Sequence, residues 1–157
     1  MDEKEIRKMC LNLLETGWPA YLTTVDKDGF PQIRAMFNLR NKKWFPKLVP
    51  LFREHKEDFM IIFSTNTSST KIEDIQSMPK SSVYYCNPDD WQGVMFGGSI
   101  EIVDDVDMKK ALWHDGWERY YPGGYDDPDH TVLRITPFVA RGWTGNSTFK
   151  LELGDVK

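Results

Sequence analysis

Apolar and polar positions recur along this chain with two periods, and the changes of period mark its elements. Over residues 2–15, Ile6, Met9, Cys10, Leu13 and Leu14 fall at helical spacing, with Asp2 and Glu5 placed as a capping pair and Gly17 as a stop. The pattern predicts an amphipathic helix packed on the body of the domain. Ala20–Val25 then reads as a strand, Asp26-Lys27-Asp28-Gly29 as a tight turn, and residues 30–38 as the returning strand. In that second strand Gln32, Arg34 and Met36 share one face, and Ile33, Ala35 and Phe37 the other. Residues 39–58, basic and aromatic with two prolines, predict a solvated connector with a short helical turn.

The next stretch changes character three times. Residues 59–63 are an apolar run of buried-strand length, 64–70 are small and polar, and Lys71 opens a short helix with Ile72 and Ile75 on one side and Thr70-x-x-Glu73 as a capping box. Strands are predicted at 82–86 and 93–103, the second with a bulge or close backbone approach at Gly97-Gly98. A helix is expected from Asp104-Asp105 to about Tyr120, with Trp113 and Trp117 stacked four residues apart, followed by a Pro/Gly/Asp loop over 121–130. Two further strands, 131–135 and 138–143, precede a polar tail carrying Leu151 and Leu153. Strands joined by turns rather than by crossover helices point to one mainly β domain over residues 1–157, an antiparallel sheet closed into a small barrel with helices at its ends.

Composition narrows the function. The 157 residues carry a net charge of −4, with 24 acidic against 20 basic side chains, no basic clustering, and a balance of charged and apolar residues typical of globular proteins. Nucleic-acid binding is not expected. No apolar run reaches membrane-spanning length and the N-terminus lacks the features of a signal peptide, so the chain is read as cytoplasmic, with no membrane partner. Cys10 and Cys86 are too few and too far apart for a disulfide framework or a thiol redox motif. The aromatic fraction of 13% suits either a thick core or a flat aromatic ligand. P-loop, dinucleotide glycine, zinc-protease and nucleophile-elbow signatures are missing, and the acidic run 126–129 lacks the spaced ligands of a calcium loop, so no metal is expected. His55, His114 and His130 read as surface or locally bonded residues, and no general acid or base is named.

The candidate chemistry lies in 59–75. A strand that runs through hydroxylated residues into a helix start offers free N–H groups, the positive end of a helix dipole and hydroxyl donors, which together suit a phosphate. Lys71 at that helix start is wrongly signed for the dipole unless an anion is nearby; the competing reading is a capped helix with a surface lysine. A mid-strand Arg34 is by itself either a solvated residue or an anion ligand.

Taken in order, the opening helix and the hairpin with its D-x-D-G turn, Phe63-Ser-Thr-Asn followed by Ser69-Thr-Lys71, Trp91-Gln-Gly-Val ahead of Gly98-Ser-Ile-Glu101, and Asp127-Pro-Asp with Leu133-Arg-Ile-Thr-Pro137 and Gly142-Trp143 resemble the pyridoxamine 5′-phosphate oxidase-like FMN-binding split-barrel family, and within it the general stress protein group. The resemblance implies a six-stranded antiparallel Greek-key split barrel, a homodimer with FMN at its interface, and a flavin-dependent oxidoreductase of unknown substrate. Its alternative is a non-catalytic flavin, deazaflavin or haem binding protein of the stress-response kind. It further implies that Arg34 and Lys71 contact the flavin phosphate and that Ala35 and Met36 lie along the ring. Ser64 and Thr65 match the pair after the central strand, and Ser69 and Thr70 belong to the phosphate turn, Thr70 standing where the family carries an arginine. By the same resemblance Gly93 falls near the position of a flavin-contacting glutamine, for which Gln92 beside it is the substitute, and Trp143 matches an aromatic that reaches the flavin across the dimer. The family's substrate-holding arginine and histidine after the tryptophan are missing from Gly145-Asn-Ser-Thr-Phe149, so vitamin B6 synthesis is not implied.

Overall fold

The computed structural model describes residues 1–154. Helix α1 (Glu3–Thr16) starts at Asp2, whose carboxylate accepts from Glu5 N while Glu5 reaches back to the Asp2 backbone, the reciprocal cap expected of this pair. Its last carbonyls are buried, and two later side chains satisfy them: Asn38 Nδ2 donates to Leu14 O and Gly17 O, and Asn41 Nδ2 donates to Thr16 O and Gly17 O. Asn38 belongs to the end of the predicted returning strand, and Asn41 to the stretch read as a solvated connector. In fact Leu39, Phe45, Leu48 and Phe52 are buried there, around a 3₁₀ turn over Pro46–Phe52.

Strands β1 (Ala20–Val25) and β2 (Pro31–Met36) form the expected hairpin, with Gly29 at φ 82 and the Asp26 carboxylate accepting from Asp28 N and Phe30 N. Strand β3 (Ile61–Asn66) extends past the apolar run to include Ser64, Thr65 and Asn66. Helix α2 (Thr70–Ser77) is capped by Ser69, not by Thr70, because the hydroxyl one residue earlier is the one that faces Lys71 N. Strands β4 (Lys80–Asn87) and β5 (Gln92–Val103) follow. Helix α3 (Val106–Leu112) ends eight residues short of Tyr120, and Trp117 sits in a separate 3₁₀ turn, Trp117–Arg119. The two indoles still meet edge to face, 6.0 Å apart, through that bend.

The two strands predicted near the C-terminus are one, β6 (His130–Thr144), and the polar tail is a strand, β7 (Ser147–Glu152). Pro137 lacks an N–H and so reads as a break. Its place is the bulge: Gly98 pairs with Pro137 and Gly97 with Val139, leaving Phe138 as the extra residue. A Cβ on Gly98 would lie 2.8 Å from Ile135 Cγ2 and 3.1 Å from Thr136 O, so the crossing needs glycine there.

All strands are antiparallel, in the order β2-β1-β4-β5-β6-β3, with β7 on the same edge of β6 as β3 but farther along it. The expected six-stranded closed barrel is therefore corrected to a seven-stranded sheet that curls without closing. Between edge strands β2 and β3 there is no ladder. Helix α2 packs on β1, tied to it by Thr24 Oγ1 donating to Asp74 Oδ2 at 3.3 Å. Leu13, Leu22, Phe63, Val83, Tyr85, Phe96 and Leu133 fill the inside of the curl. Leu39, Phe52, Ile62, Leu112, Trp117 and Val132 form a second core. Alternate residues of β3, Ile61 and Phe63 against Ile62, serve the two cores, as strand geometry requires.

Candidate functional site

The gap between β2 and β3 is a cleft of about 190 Å³ walled by Ala35, Met36, Ser64 and Thr65, with Trp117 and Tyr120 across its mouth. Chain alternation puts Arg34 beside it, half-buried, while Ile33 on the opposite face is 68% exposed. Arg34 Nη1 donates to Thr24 Oγ1 at 2.8 Å and more distantly to Leu22 O.

Lys71 comes from the first turn of α2. Its ammonium donates to Ser69 Oγ at 2.7 Å and Thr65 Oγ1 at 2.8 Å, and no carboxylate pairs with it among the described residues. Burial pushes the Lys71 ammonium below its usual range, and the nearby Arg34 charge pushes it further the same way. Burial also lowers Arg34, with Asp74 opposing. A half-buried lysine depressed by a neighbouring arginine and served by neutral hydroxyls makes a site with room for an anion. A phosphate there would gain two charge-assisted contacts, hydroxyl partners and the start of a capped helix. The residues present therefore fit a phosphate group. Thr70, exposed at the first helical position, adds no charge.

The turn that aims these groups is held from outside. Asp129 accepts from Asn66 Nδ2 at 2.7 Å and from Ser68 N at 2.8 Å, its backbone carbonyl accepts from Thr67 N, and Asp127 in turn braces Asp129 N. The acidic run is thus a clamp on the phosphate turn. Residue pattern alone could not show it, since the two segments lie more than sixty positions apart.

His130 was also missed. It is 1% exposed; Nδ1 lies 2.7 Å from Tyr125 O and Nε2 3.1 Å from Ser64 Oγ. A histidine spaced one strand position from the 63–65 pair in the β3–β6 register would have been the only sequence signal.

Gln92, Gly93 and Trp143 are not brought to this cleft within one chain. Gly93 pairs with Trp143, and a Cβ on Gly93 would lie 2.3 Å from Tyr84 Oη and 2.9 Å from the Trp143 ring, so the chain's own side chains occupy the bare backbone. Trp143 lies on the same strand as Val132, the partner of Ser64, but about 35 Å farther along it at roughly 3.3 Å per residue. The glycines at 97–98 are filled likewise, by Val139 and Ile135.

Residues 7–144 match the family model described as pyridoxamine 5′-phosphate oxidase. The chain belongs to that family. No curated protein matches its sequence. Among solved structures, a protein related to general stress protein 26 of B. subtilis, of the pyridoxinephosphate oxidase family, from Clostridium acetobutylicum, is 29% identical with a TM-score of 0.77, covering 98% of this chain and 97% of that one. General stress protein 26 from Bacillus anthracis shares the fold at 20% identity and TM-score 0.69, over 94% and 99% of the two chains. A heme binding protein from Mycobacterium smegmatis shares it at 13% identity and TM-score 0.62, over 94% of this chain and 56% of that one. No helix among the described residues is long and apolar enough to cross a membrane.

Proposed function

We propose that this protein binds FMN in the β2–β3 cleft, with the phosphate on Lys71, Arg34 and the Ser69 turn, and works as a flavin-dependent oxidoreductase on a substrate other than a vitamin B6 phosphate. The observation that carries this reading is the Lys71 ammonium, part-buried, bonded among the described residues to Ser69 and Thr65 hydroxyls and close to a second cation. Family membership and likeness to the stress proteins support it.

When bound, the flavin supplies the electron and hydride chemistry. The chain's part is to hold and shield it. Ala35 and Met36 present the β2 edge to the ring, Ser64 and Thr65 line the opposite wall, and Trp117 and Tyr120 exclude water at the mouth. The Ser64 hydroxyl, donating to His130 Nε2, offers lone pairs to an N–H of the ligand.

The same reading includes a homodimer in which one protomer's Gln92, Gly93 and Trp143 corner completes its partner's cleft. Exposed apolar groups support this: Phe30 just ahead of β2, Ile33 on β2, and Trp91 beside Trp143. A second reading, a carrier of flavin, deazaflavin or haem without turnover, uses the same cleft and draws support from the heme binding protein of the same fold. Anaerobic mixing of the FMN-loaded protein with NADH or NADPH separates the two. Bleaching of the flavin followed by recovery with an electron acceptor supports the enzyme, and an unchanged spectrum with both donors supports the carrier.

A further inference from the structure

Beside the cleft, and sharing Phe37, Trp117 and Tyr120 with it, lies a second groove of about 260 Å³. Its walls are mainly aromatic, Trp18, Phe37, Trp44 and Tyr120, and Asp115 and Arg119 line it as well. Trp18 and Phe37 lie nearly parallel, at 14° with centroids 5.8 Å apart, and Trp44 tilts against Trp18 at 5.5 Å, so the rings brace one another along the groove. These rings are not core residues, since Trp18, Trp44 and Tyr120 are each 43–52% exposed. Their faces already draw the chain's own cations: Lys43 Nζ lies 5.6 Å from the Trp44 centroid and the Arg119 guanidinium 6.0 Å from that of Tyr120.

The charge along the groove completes the picture. Arg119 donates to Gly116 O and Glu118 accepts from Gly116 N, so both are held locally. The Asp115 carboxylate has no partner among the described residues. A slot of electron-rich rings lined also by an unpaired carboxylate matches a ligand that is flat and positively charged.

We infer that this groove binds a planar aromatic cation without a phosphate, set edge-on to the flavin cleft as the second ligand of the protein. The inference does not rest on the cleft holding a flavin. Its size exceeds that of a single ring and is open along one side, which favours a fused bicyclic cation over a compact one such as tetramethylammonium.

Isothermal titration of the flavin-free protein with 1-methylquinolinium chloride and with quinoline, its neutral parent ring system, tests this. The expected result is saturable binding of the cation, with quinoline weaker by about tenfold. Asp115→Asn, an exposed substitution that leaves the fold intact, brings the two within about twofold of each other. Trp44→Leu weakens both. Lys71→Ala, which removes the phosphate cation, leaves quinolinium binding unchanged, so that loss of the flavin site and loss of this one are read separately. Equal affinities for cation and neutral parent, or an Asp115→Asn protein that still distinguishes them as wild type does, overturns the inference. So does a wild type that ignores both compounds while Trp44→Leu converts a dimer to a monomer by light scattering, because the groove is then covered by a second copy of the chain.

Discussion

His130 Nε2 lies 3.1 Å from Ser64 Oγ, and this contact fixes which way a hydrogen bond points in the cleft. A carbonyl oxygen only accepts, so Nδ1, 2.7 Å from Tyr125 O, carries the proton. Burial holds the imidazole below its usual 6.5, so at neutral pH Nε2 is bare and the Ser64 hydroxyl donates to it. The remaining Ser64 lone pairs face the ligand wall as acceptors.

Protonating His130 reverses that polarity and buries a charge. As pH falls below 6.5 the unfolded chain takes up the proton first, so the stability present above 6.5 is lost as pH falls through the lower folded value. Thermal melts of wild type should therefore fall more steeply below pH 6.5 than those of His130→Gln. Parallel curves for the two proteins would remove His130 from the account.

Lys71 gives the opposite kind of test, because its charge is costly until an anion arrives. Its folded value is depressed below 10.5, so the unfolded chain holds that proton more tightly and stability rises as pH climbs through the folded value toward 10.5. In anion-free buffer the melting temperature of wild type should rise with pH just below 10.5 relative to Lys71→Met. Inorganic phosphate at neutral pH should raise the melting temperature of wild type and leave the variant unchanged. A phosphate effect equal in both places the anion elsewhere.

Loss of either cation should weaken FMN binding by about 1.5–3 kcal/mol, the usual range for a hydrogen bond to a charged group. Arg34→Ala and Lys71→Ala are then each about tenfold or more weaker in equilibrium dialysis. Thr70→Arg, which puts a cation back at the exposed helix start, should tighten binding. Wild-type affinity in both alanine variants would contradict the placement of the phosphate.

Asp129 acts from a distance. Asp129→Ala frees Asn66 Nδ2 and Ser68 N together, so the turn ahead of Ser69 loosens. The expected outcome is a lower melting temperature together with weaker FMN binding, measured on the same preparation. If affinity is kept while stability drops, the clamp serves the fold alone.

These particular residues show how far the sequence could be read. Hydrophobic period located α1, β1 and β2, the paired glycines pointed to the bulge, and the strand, hydroxyl and lysine order drew attention to the turn ahead of α2, because each is local information. What escaped reading is long-range. The clamp of Asp129 on residues 66–68, the Ser64–His130 contact and the asparagines that satisfy the end of α1 join segments with no shared pattern. Pro137 looked like a break because proline usually ends a ladder, yet the bulge absorbs it. Strand β7 looked like a tail because only Leu151 of its residues is buried, the mark of an edge strand with one wet face. The barrel looked closed because nothing local records that edge strands β2 and β3 form no ladder with each other.

The most direct measurement is the visible spectrum of the protein after incubation with FMN and gel filtration, run beside Lys71→Ala. A two-band flavin spectrum that travels with wild type, and is reduced or lost in the variant, is the predicted result. A wild-type protein that emerges colourless, or a variant that retains as much flavin as wild type, would contradict the assignment of the cleft and of the cation that defines it.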